Sequence, residues 1–468
     1  MKKYIAISLI GILIMSGLCA GSYNINHLNE IERVFMKTNY EMVIIAPNSF
    51  SNALQPLIQH KNDHDVSCFL QTTETIYSEY NGRDDAESIK LFIKDAIETY
   101  DIKYVLLIGG RIRQSFRWYV PVRYANVDDG FMHKKILSDL YFADIYKENS
   151  EFEDWDSDGD GIFAEWNGFM AEDKIDLIPD ISLGRLHCRN TQEVVDIAQK
   201  IIYYENNAYQ QSQFHNILLI GGDTNPGVGH PFPYEGEADC EWIIQYLNGF
   251  SPQRLYISDG SLTGSDDFIS AFNKGFGFVA YHGHGLIEEL KTFKLNSQEE
   301  VQVFHNDYIQ DLENTMFPVM VVGCCLTTNF DVGVFDFFKI FENMEKYHVF
   351  IHSIDSSLSE CIGWNMVKKL DGGSIAHIGS SSTAWGEVGD KNNDSIPDSV
   401  QTGYTSGLCS EFFRIYGEDE INILGDVFNG AVRNVVIDNS GRNDKIQCKC
   451  ILEFQLLGDP SLKIGGYP

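Results

Sequence analysis

Basic residues are scarce in this chain. It has 35 Lys and Arg against 67 Asp and Glu in 468 residues, which gives a formal net charge of −32. A chain this acidic repels nucleic-acid backbones and anionic membrane surfaces, so we expect neither among its partners. Cationic substrates and calcium-rich surroundings suit such a chain better.

Long apolar runs are absent beyond the first 21 residues. Lys2 and Lys3 precede an apolar run over residues 4–15, and small residues follow up to Gly21. This order is typical of a secretory signal peptide, so residues 1–21 are predicted to be one. An uncleaved membrane anchor is the alternative. We expect a secreted, extracellular protein with no other membrane association, although retention at the cell surface is compatible with the pattern.

The expected location outside the cell predicts the redox state of the cysteines. The chain has ten cysteines, and removal of the signal peptide takes Cys19 with it. An exported protein enters an oxidising compartment, where cysteines usually pair. The remaining number is odd, so at least one free thiol is expected, and Cys325 is the candidate.

The sequence also lacks internal repeats and the Gly-x-Ser-x-Gly segment of serine hydrolases. Strand-like apolar runs alternate instead with helical spacing, as in 42–46, 85–99 and 104–108. This alternation predicts an α/β fold with mostly parallel central sheets flanked by helices. A polar stretch at 205–213 predicts a boundary between two adjacent α/β subdomains, residues 22–210 and residues 211–468.

Two loops carry oxygen ligands at calcium-loop spacing. In the first, acidic residues occupy positions 1, 3, 5 and 12 of a twelve-residue loop with glycine at position 6. Its predicted ligands are Asp154, Asp156, Asp158, Asp160 and Glu165. The second loop repeats the spacing, but Ser395 replaces the glycine. Its predicted ligands are Asp390, Asn392, Asp394 and Asp398. We expect structural calcium in both loops.

A histidine and a cysteine each end a short apolar run of strand length. The first run ends in Tyr-His-Gly-His-Gly at 281–285, and the second in Gly-Cys-Cys at 323–325. Ligand crevices of open α/β sheets lie beyond the carboxyl ends of such strands, so the two side chains are expected to meet. A thiol, a histidine and nearby backbone N–H groups are the components of cysteine-protease chemistry. Cys325 is the predicted nucleophile and His284 the acid and base, with the N–H groups of Gly285 and Cys325 as oxyanion donors.

These motifs resemble those of the gingipain family of secreted cysteine peptidases, within the caspase-like clan. Residues 281–285 look like the family's Tyr-x-Gly-His-Gly segment, and residues 322–330 look like the segment around its nucleophile. A phenylalanine follows the family's nucleophile by five residues, which selects Cys325 over Cys324. Residues 181–186 and 457–462 resemble two further family segments. The resemblance implies a caspase-like fold, with catalysis in the 211–468 subdomain and protein or peptide substrates.

The resemblance also implies substrate-binding and orienting residues. Ser381 and Trp385 lie in a segment similar to one that lines the family's primary specificity pocket. Asp223 falls near an acidic residue close to the family's catalytic histidine, and we expect it to orient His284. Glu235 and Glu237 lie in the region where members that cleave after Arg or Lys carry an acidic pocket residue. Specificity for a basic P1 residue is therefore a hypothesis.

Two other functions compete with a peptidase. His282 and His284 alternate onto one strand face, and with a cysteine they would make a zinc or copper site. A non-catalytic, calcium-binding adhesion or binding domain of the same fold is the other alternative, because fold does not fix function.

Overall fold

The computed structural model describes residues 39–112, 117–130, 135–167, 170–226, 231–331, 360–402, 404–438 and 444–468. The predicted signal peptide at 1–21 lies outside these ranges. Residues 40–468 form one compact unit. No helix within the described ranges is long and apolar enough to cross a bilayer.

Seventeen strands are present in the described ranges, and most belong to one large sheet. They are β1 (Met42–Ala46), β2 (Cys68–Thr72), β3 (Tyr104–Ile108), β4 (Tyr124–Val127), β5 (Lys135–Leu137), β6 (Glu165–Asn167), β7 (Met170–Ala171), β8 (Ser182–Leu186), β9 (Asn216–Gly221), β10 (Ser251–Tyr256), β11 (Phe278–His282), β12 (His284–Gly285), β13 (Glu289–Phe293), β14 (Glu300–His305), β15 (Val319–Gly323), β16 (Ala376–Ser380) and β17 (Phe454–Leu457).

The central sheet has ten strands in the order β10-β9-β11-β15-β16-β17-β8-β3-β1-β2. Every neighbouring pair is parallel except β16 with β17. The strands that precede residue 210 form one end of the sheet and the later strands form the other. The last strand, β17, joins the two groups. The predicted mostly parallel α/β fold is confirmed, whereas the boundary at residue 210 stays a prediction.

Eleven helices of the described ranges accompany these strands. They are α1 (Ser51–Asp63), α2 (Thr73–Glu79), α3 (Asp85–Tyr100), α4 (Thr191–Asn207), α5 (Glu235–Ile243), α6 (Ser265–Phe272), α7 (Ile362–Lys368), α8 (Asp398–Gln401), α9 (Thr405–Gly417), α10 (Leu424–Asp438) and α11 (Lys445–Glu453).

The central strands are buried along their whole length. All five residues of β1, β3 and β11 are buried, as expected for parallel strands covered on both faces. The small sheet β12-β13-β14 differs, because burial alternates along β13 in the manner of a strand with one exposed face. This small sheet extends from the carboxyl end of β11 and carries His284.

Buried charges fix the long segments between strands. Arg185 on β8 makes two hydrogen bonds, of 2.6 and 2.7 Å, to the carboxylate of Asp139. The ammonium of Lys61 lies 2.9 Å from Glu205 and 2.8 Å from Asp459, and all three side chains are buried. A buried ion pair costs desolvation, but loss of one partner is strongly destabilising. These groups therefore anchor α1, α4 and the C-terminal segment to one another.

The cysteines differ from the pairing expected in an oxidising compartment. All nine that follow the predicted signal peptide are free thiols, and all but Cys325 are buried. Buried thiols pack as small apolar side chains, and this role requires no disulfide. The expected free thiol at Cys325 is present, but the expected pairing of the others is not found.

Candidate active site

The His284 and Cys325 strand ends lie side by side at one edge of the central sheet. β11 and β15 are parallel neighbours in register, with His282 opposite Gly323. His284 and Cys325 each follow the last residue of that register by two positions. A Cβ atom built on Gly285 would lie 2.3 Å from the carbonyl oxygen of Cys325. The two segments therefore touch, and the sheet places the predicted nucleophile and base at neighbouring strand ends.

One ring nitrogen of His284 is held by a backbone carbonyl. Its Nε2 lies 2.8 Å from the carbonyl oxygen of Thr224. A carbonyl oxygen only accepts hydrogen bonds, so Nε2 carries the proton. In the neutral ring, Nδ1 then holds the lone pair that accepts a proton. The ring also packs edge-on against Phe293, with centroids 5.2 Å apart.

Glu235 fixes the residue that holds His284. Its Oε2 accepts a hydrogen bond of 2.9 Å from the Thr224 N–H. Asp223 was expected to orient His284, but its carboxylate accepts from the N–H groups of Asn225 and Asn296, at 3.0 and 2.8 Å. The orienting contact thus comes from the neighbouring carbonyl, while Asp223 secures the loop. Every residue type has a backbone carbonyl, so no sequence pattern could predict this contact.

Glu237 lies on α5, the same helix as Glu235, but has a different partner. It accepts hydrogen bonds from Ser258, at 2.9 Å from the backbone N–H and 2.5 Å from the hydroxyl. Burial raises the pKa of Glu237. Glu235 and Glu237 are both buried in the first turn of α5, beside the end of β11. The structure therefore brings Glu235 to the His284 contact and places Glu237 against Ser258.

The sulfur of Cys325 faces the backbone of Ala384. The Ala384 N–H lies 3.3 Å from Sγ, and the carbonyl oxygen of the same residue lies 3.7 Å away. Burial raises the pKa of the Cys325 thiol to about 11. Cys324 is more deeply buried, and its sulfur lies near Gly285. The two adjacent cysteines thus occupy different environments, and Cys325 is the more accessible.

The segment behind Cys325 contains the predicted pocket residues. Trp385 follows Ala384 directly, and its indole N–H donates to Asp129 at 3.1 Å. The Ser381 hydroxyl is buried and donates to the carbonyl of Leu137 at 2.6 Å. Of the two predicted residues, Trp385 is adjacent to the nucleophile contact, whereas the Ser381 hydroxyl is used within the core.

His282 and His284 do not form a metal site together. Nδ1 of His282 lies 3.2 Å from both Asp239 and Ser406. His284 contacts Thr224 instead. Over the ranges the structure covers, no group of histidines and cysteines has its ligand atoms close enough to hold a metal ion.

The first acidic loop gathers part of its predicted ligand set. Ligand oxygens of Asp156 and Asp158 lie with one of Asp173 within 4.8 Å of one another, so these three residues could hold a metal ion. Asp173 lies outside the twelve-residue motif and was missed from sequence. One oxygen of Asp156 lies 2.6 Å from Arg83, while Oδ1 is buried with no hydrogen-bond partner among the described residues.

The remaining predicted ligands of this loop have other contacts. The Asp154 carboxylate lies 3.6 Å from the guanidinium of Arg83. Asp160 accepts a hydrogen bond of 2.7 Å from the N–H of Ile162. The Glu165 N–H donates to Asp173 at 2.9 Å, which connects the end of the loop to the carboxylate cluster.

The second loop is organised by its own side chains. Asp390 accepts hydrogen bonds from the N–H groups of Asp394 and Ser395, at 3.0 and 2.9 Å. Asn392 also accepts from Asp394, and Asp398 accepts from the N–H of Lys391 at 2.9 Å. Within the described ranges, these carboxylates do not converge as the Asp156 group does. Calcium at this loop stays a prediction.

A thiol and an imidazole at the carboxyl edge of a mostly parallel sheet are the groups that a cysteine-type hydrolase requires. Comparison with known proteins gives the family. The model of Peptidase family C25 matches residues 36–465, and the chain belongs to this family of cysteine endopeptidases. The predicted resemblance to gingipains is thereby confirmed.

Individual relatives are distant. The chain is 20% identical to gingipain R2 of Porphyromonas gingivalis over 254 residues, which covers 53% of this chain and 28% of the relative. Gingipain R1 of the same organism matches at 20% identity, with 53% of this chain and 21% of the relative covered. The chain thus spans about a quarter of the length of these curated relatives.

Solved structures confirm the predicted caspase-like fold. The crystal structure of the Arg-specific cysteine proteinase gingipain R matches with a TM-score of 0.62 and 16% identity over 92% of this chain and 79% of that chain. A complex of the RgpB pro- and mature domains of Porphyromonas gingivalis has the same TM-score and identity and covers 91% of this chain and 79% of that chain. At this identity the similarity shows the fold.

Proposed function

We propose that this chain is a cysteine endopeptidase in which Cys325 and His284 carry the chemistry. The observation that carries the proposal is the convergence of the two strand ends, with Gly285 in contact with the Cys325 backbone. Membership of Peptidase family C25 supports it independently. Family membership supports cysteine-type chemistry, and the geometry of the strand ends supports Cys325 and His284 as the residues that perform it.

The proposed reaction is acyl transfer through a thioester. The Cys325 proton moves to Nδ1 of His284, and the thiolate attacks the scissile carbonyl carbon. The N–H groups of Gly285 and Cys325 are the proposed donors to the oxyanion. The imidazolium returns its proton to the leaving amine, and water then hydrolyses the thioester with His284 as base. Burial disfavours the thiolate, so proton transfer to a correctly oriented His284 is essential to this scheme.

Cleavage of a peptide library diverse at P1 tests the proposal. The wild type is expected to cleave, whereas Cys325→Ala and His284→Ala are expected to lose activity by at least about a thousandfold. Cys324→Ala is the matched control, because this thiol is buried and faces the small sheet rather than Ala384, and it should retain activity. Retained cleavage in Cys325→Ala would refute the assignment. No cleavage by any variant would favour the non-catalytic binding domain.

We also propose a preference for basic residues at P1. The chain is strongly acidic, two carboxylates lie in the first turn of α5, and a structural relative is titled an Arg-specific proteinase. The library would measure the P1 preference of Glu235→Gln and Glu237→Gln. A pocket role predicts a loss confined to Arg and Lys substrates. A uniform loss of kcat for all substrates in Glu235→Gln would instead assign Glu235 to holding Thr224 and reject it as a pocket residue.

We propose that Asp156, Asp158 and Asp173 bind a structural calcium ion. The unpartnered Oδ1 of Asp156 and the neighbouring carboxylates support this, because calcium takes hard oxygen ligands. Calcium at about a hundred times its Kd would stabilise the fold by about 2.7 kcal/mol. A chelator should lower the Tm of the wild type but not that of Asp173→Asn. Asp390→Asn tests the second loop in the same assay, and an unchanged wild-type Tm would reject both sites.

We propose export from the cell on the basis of residues 1–21. The charged start, apolar run and small residues of that segment support it, and proteins or peptides outside the cell would be the substrates. N-terminal sequencing of the protein recovered from the medium tests this. A start near residue 21 is expected, whereas recovery only from the cell interior would contradict it.

A further inference from the structure

The peptide unit that joins Thr383 to Ala384 lies between a buried ammonium and the sulfur of Cys325. Its N–H, on Ala384, is 3.3 Å from Cys325 Sγ. Its carbonyl oxygen, on Thr383, accepts a hydrogen bond from Nζ of Lys449. The peptide is trans, so its N–H and C=O point in opposite directions. The ammonium and the sulfur therefore contact opposite ends of one peptide dipole.

Lys449 is charged in this position. Its side chain is fully buried on α11, where Nζ lies 2.8 Å from Glu453 and 3.4 Å from Asp129. Burial by itself lowers the pKa of Lys449, but the Glu453 carboxylate outweighs burial and holds that pKa above its ordinary value. The Thr383 carbonyl thus accepts a charge-assisted hydrogen bond.

A cation on the carbonyl strengthens the N–H of the same peptide. Hydrogen bonds in series polarise one another, particularly in a buried setting. The Ala384 N–H is therefore a better donor to the Cys325 sulfur than an isolated amide. A donor that faces sulfur favours the thiolate, because the charged form is the better acceptor. The same contact also fixes where the sulfur lies.

We propose that Lys449 is a positioning residue for the nucleophile, which acts through the Thr383–Ala384 peptide to hold the Cys325 sulfur and favour its thiolate. The proposal deepens the proposed function and rests on it only for the role of Cys325. Lys449 contacts neither Cys325 nor substrate directly, so its effect is transmitted by a single peptide bond.

Other titratable groups near Cys325 set the direction of each expected change. His284 lies on β12 at the neighbouring strand end, and Cys324 adjoins Cys325 in the chain. Glu453 lies on α11 beside Lys449, and Asp129 follows β4. A negative charge at Glu453 opposes the thiolate, whereas the positive charge at Lys449 favours it. Removal of the Glu453 charge must therefore lower the pKa of the Cys325 thiol, and removal of the Lys449 charge must raise it.

Alkylation of Cys325 by iodoacetamide across the pH range measures the thiol directly. Mass spectrometry locates the label, and Lys449→Met is compared with Lys449→Arg. Lys449→Met is expected to raise the midpoint of the pH profile by about one unit, which is about a tenfold slower reaction below the midpoint. Lys449→Arg keeps the charge and should restore the profile to within about half a unit. A folded Lys449→Met with the wild-type midpoint would overturn the proposal.

Glu453 variants provide a second test of the Lys449 effect if Lys449→Met does not fold. Glu453→Gln alone is expected to lower the midpoint. The double variant removes both charges, and its midpoint should lie above that of Glu453→Gln. Equal midpoints in those two variants would overturn the proposal. A purely structural role would lower the Tm of each variant without moving the midpoints in opposite directions.

Lys90→Met is the matched control for loss of a buried lysine. Lys90 is fully buried, and its ammonium lies over the ring of Tyr141 at 4.2 Å rather than on the Cys325 segment. Its profile should match the wild type, and a shift equal to that of Lys449→Met would overturn the specific role of Lys449. The assay needs no peptide cleavage. A wild type that cleaves nothing would reject the proposed function while the Lys449 effect on Cys325 is still measured.

Discussion

An alanine at position 285 should separate the two halves of the active site without unfolding the protein. A Cβ atom there would lie 2.3 Å from the Cys325 carbonyl oxygen and 2.7 Å from the Cys324 sulfur, whereas real Cβ contacts are essentially never under 3.0 Å. The backbones of the two strand ends must therefore move apart by at least 0.7 Å. The φ of Gly285 is outside the left-handed region, so the effect is purely steric.

This displacement acts on the distance between His284 and Cys325. A misplacement of about 1 Å costs about a hundredfold in rate when reacting groups must meet in one geometry. We therefore expect Gly285→Ala to lower kcat/KM by about thirty- to a hundredfold, with most of the loss in kcat. Overpacking costs stability by about 1–3 kcal/mol, which should leave the variant folded at room temperature.

The assay combines steady-state cleavage of the best library peptide with urea unfolding of each variant. Gly264→Ala is the matched control, because nothing lies within 4 Å of its built Cβ and its backbone is extended. It should retain wild-type activity. Gly285→Ala with kcat/KM within about threefold of the wild type would refute the claim that these strand ends are in functional contact.

Three further predictions concern the buried charges, and urea unfolding measures each. Lys200 donates to four backbone carbonyls at 2.6 to 3.0 Å, so Lys200→Met should lower the free energy of unfolding by about 3 kcal/mol or more; a loss below about 1 kcal/mol would contradict this. Burial acts to raise the pKa of Glu205, but Lys61 outweighs it and holds that pKa below its ordinary value. Glu205 therefore stabilises the fold fully above about pH 4.3, and this stabilisation is lost as the pH falls through the folded-state pKa. The loss of unfolding free energy in Glu205→Gln should be large at about pH 7 and smaller at about pH 3. A loss that is the same at both pH values would contradict the linkage. Arg185→Lys should lose the two-point contact with Asp139 and about 2 kcal/mol of stability. An unchanged urea-unfolding midpoint would show that the two-point contact contributes nothing to stability.

The central sheet was predictable because its strands are continuous apolar runs in the sequence. The runs 42–46, 104–108 and 278–281 are apolar along their whole length, and they are followed by a proline, a glycine and a histidine, respectively. Such runs indicate buried parallel strands, and their alternation with helical segments predicts the α/β class. The role of β17 was not predictable. Its place between β16 and β8 depends on a pairing across more than 250 residues that no local pattern records.

The reactive residues of the active site were predictable, but the groups that position them were not. The residue types of His284 and Cys325 and their neighbouring glycines indicate nucleophilic catalysis. The carbonyl of Thr224 and the N–H of Ala384 are backbone groups, which every residue type provides. Asp173 joins Asp156 and Asp158 from beyond the loop motif, because its position depends on the antiparallel pairing of β6 with β7 rather than on spacing within the motif.

The two reactive side chains share one physical design. His284 is held by the Thr224 carbonyl, and the N–H of Thr224 is held by the carboxylate of Glu235. Cys325 faces the Ala384 N–H, and the carbonyl of the same peptide is held by the ammonium of Lys449. In both cases a buried side chain holds the backbone that contacts the reactive residue, through one peptide unit for Cys325 and through two successive peptide units for His284. A variant that keeps the fold, His284 and Cys325 but loses Lys449 or Glu235 should therefore react slowly.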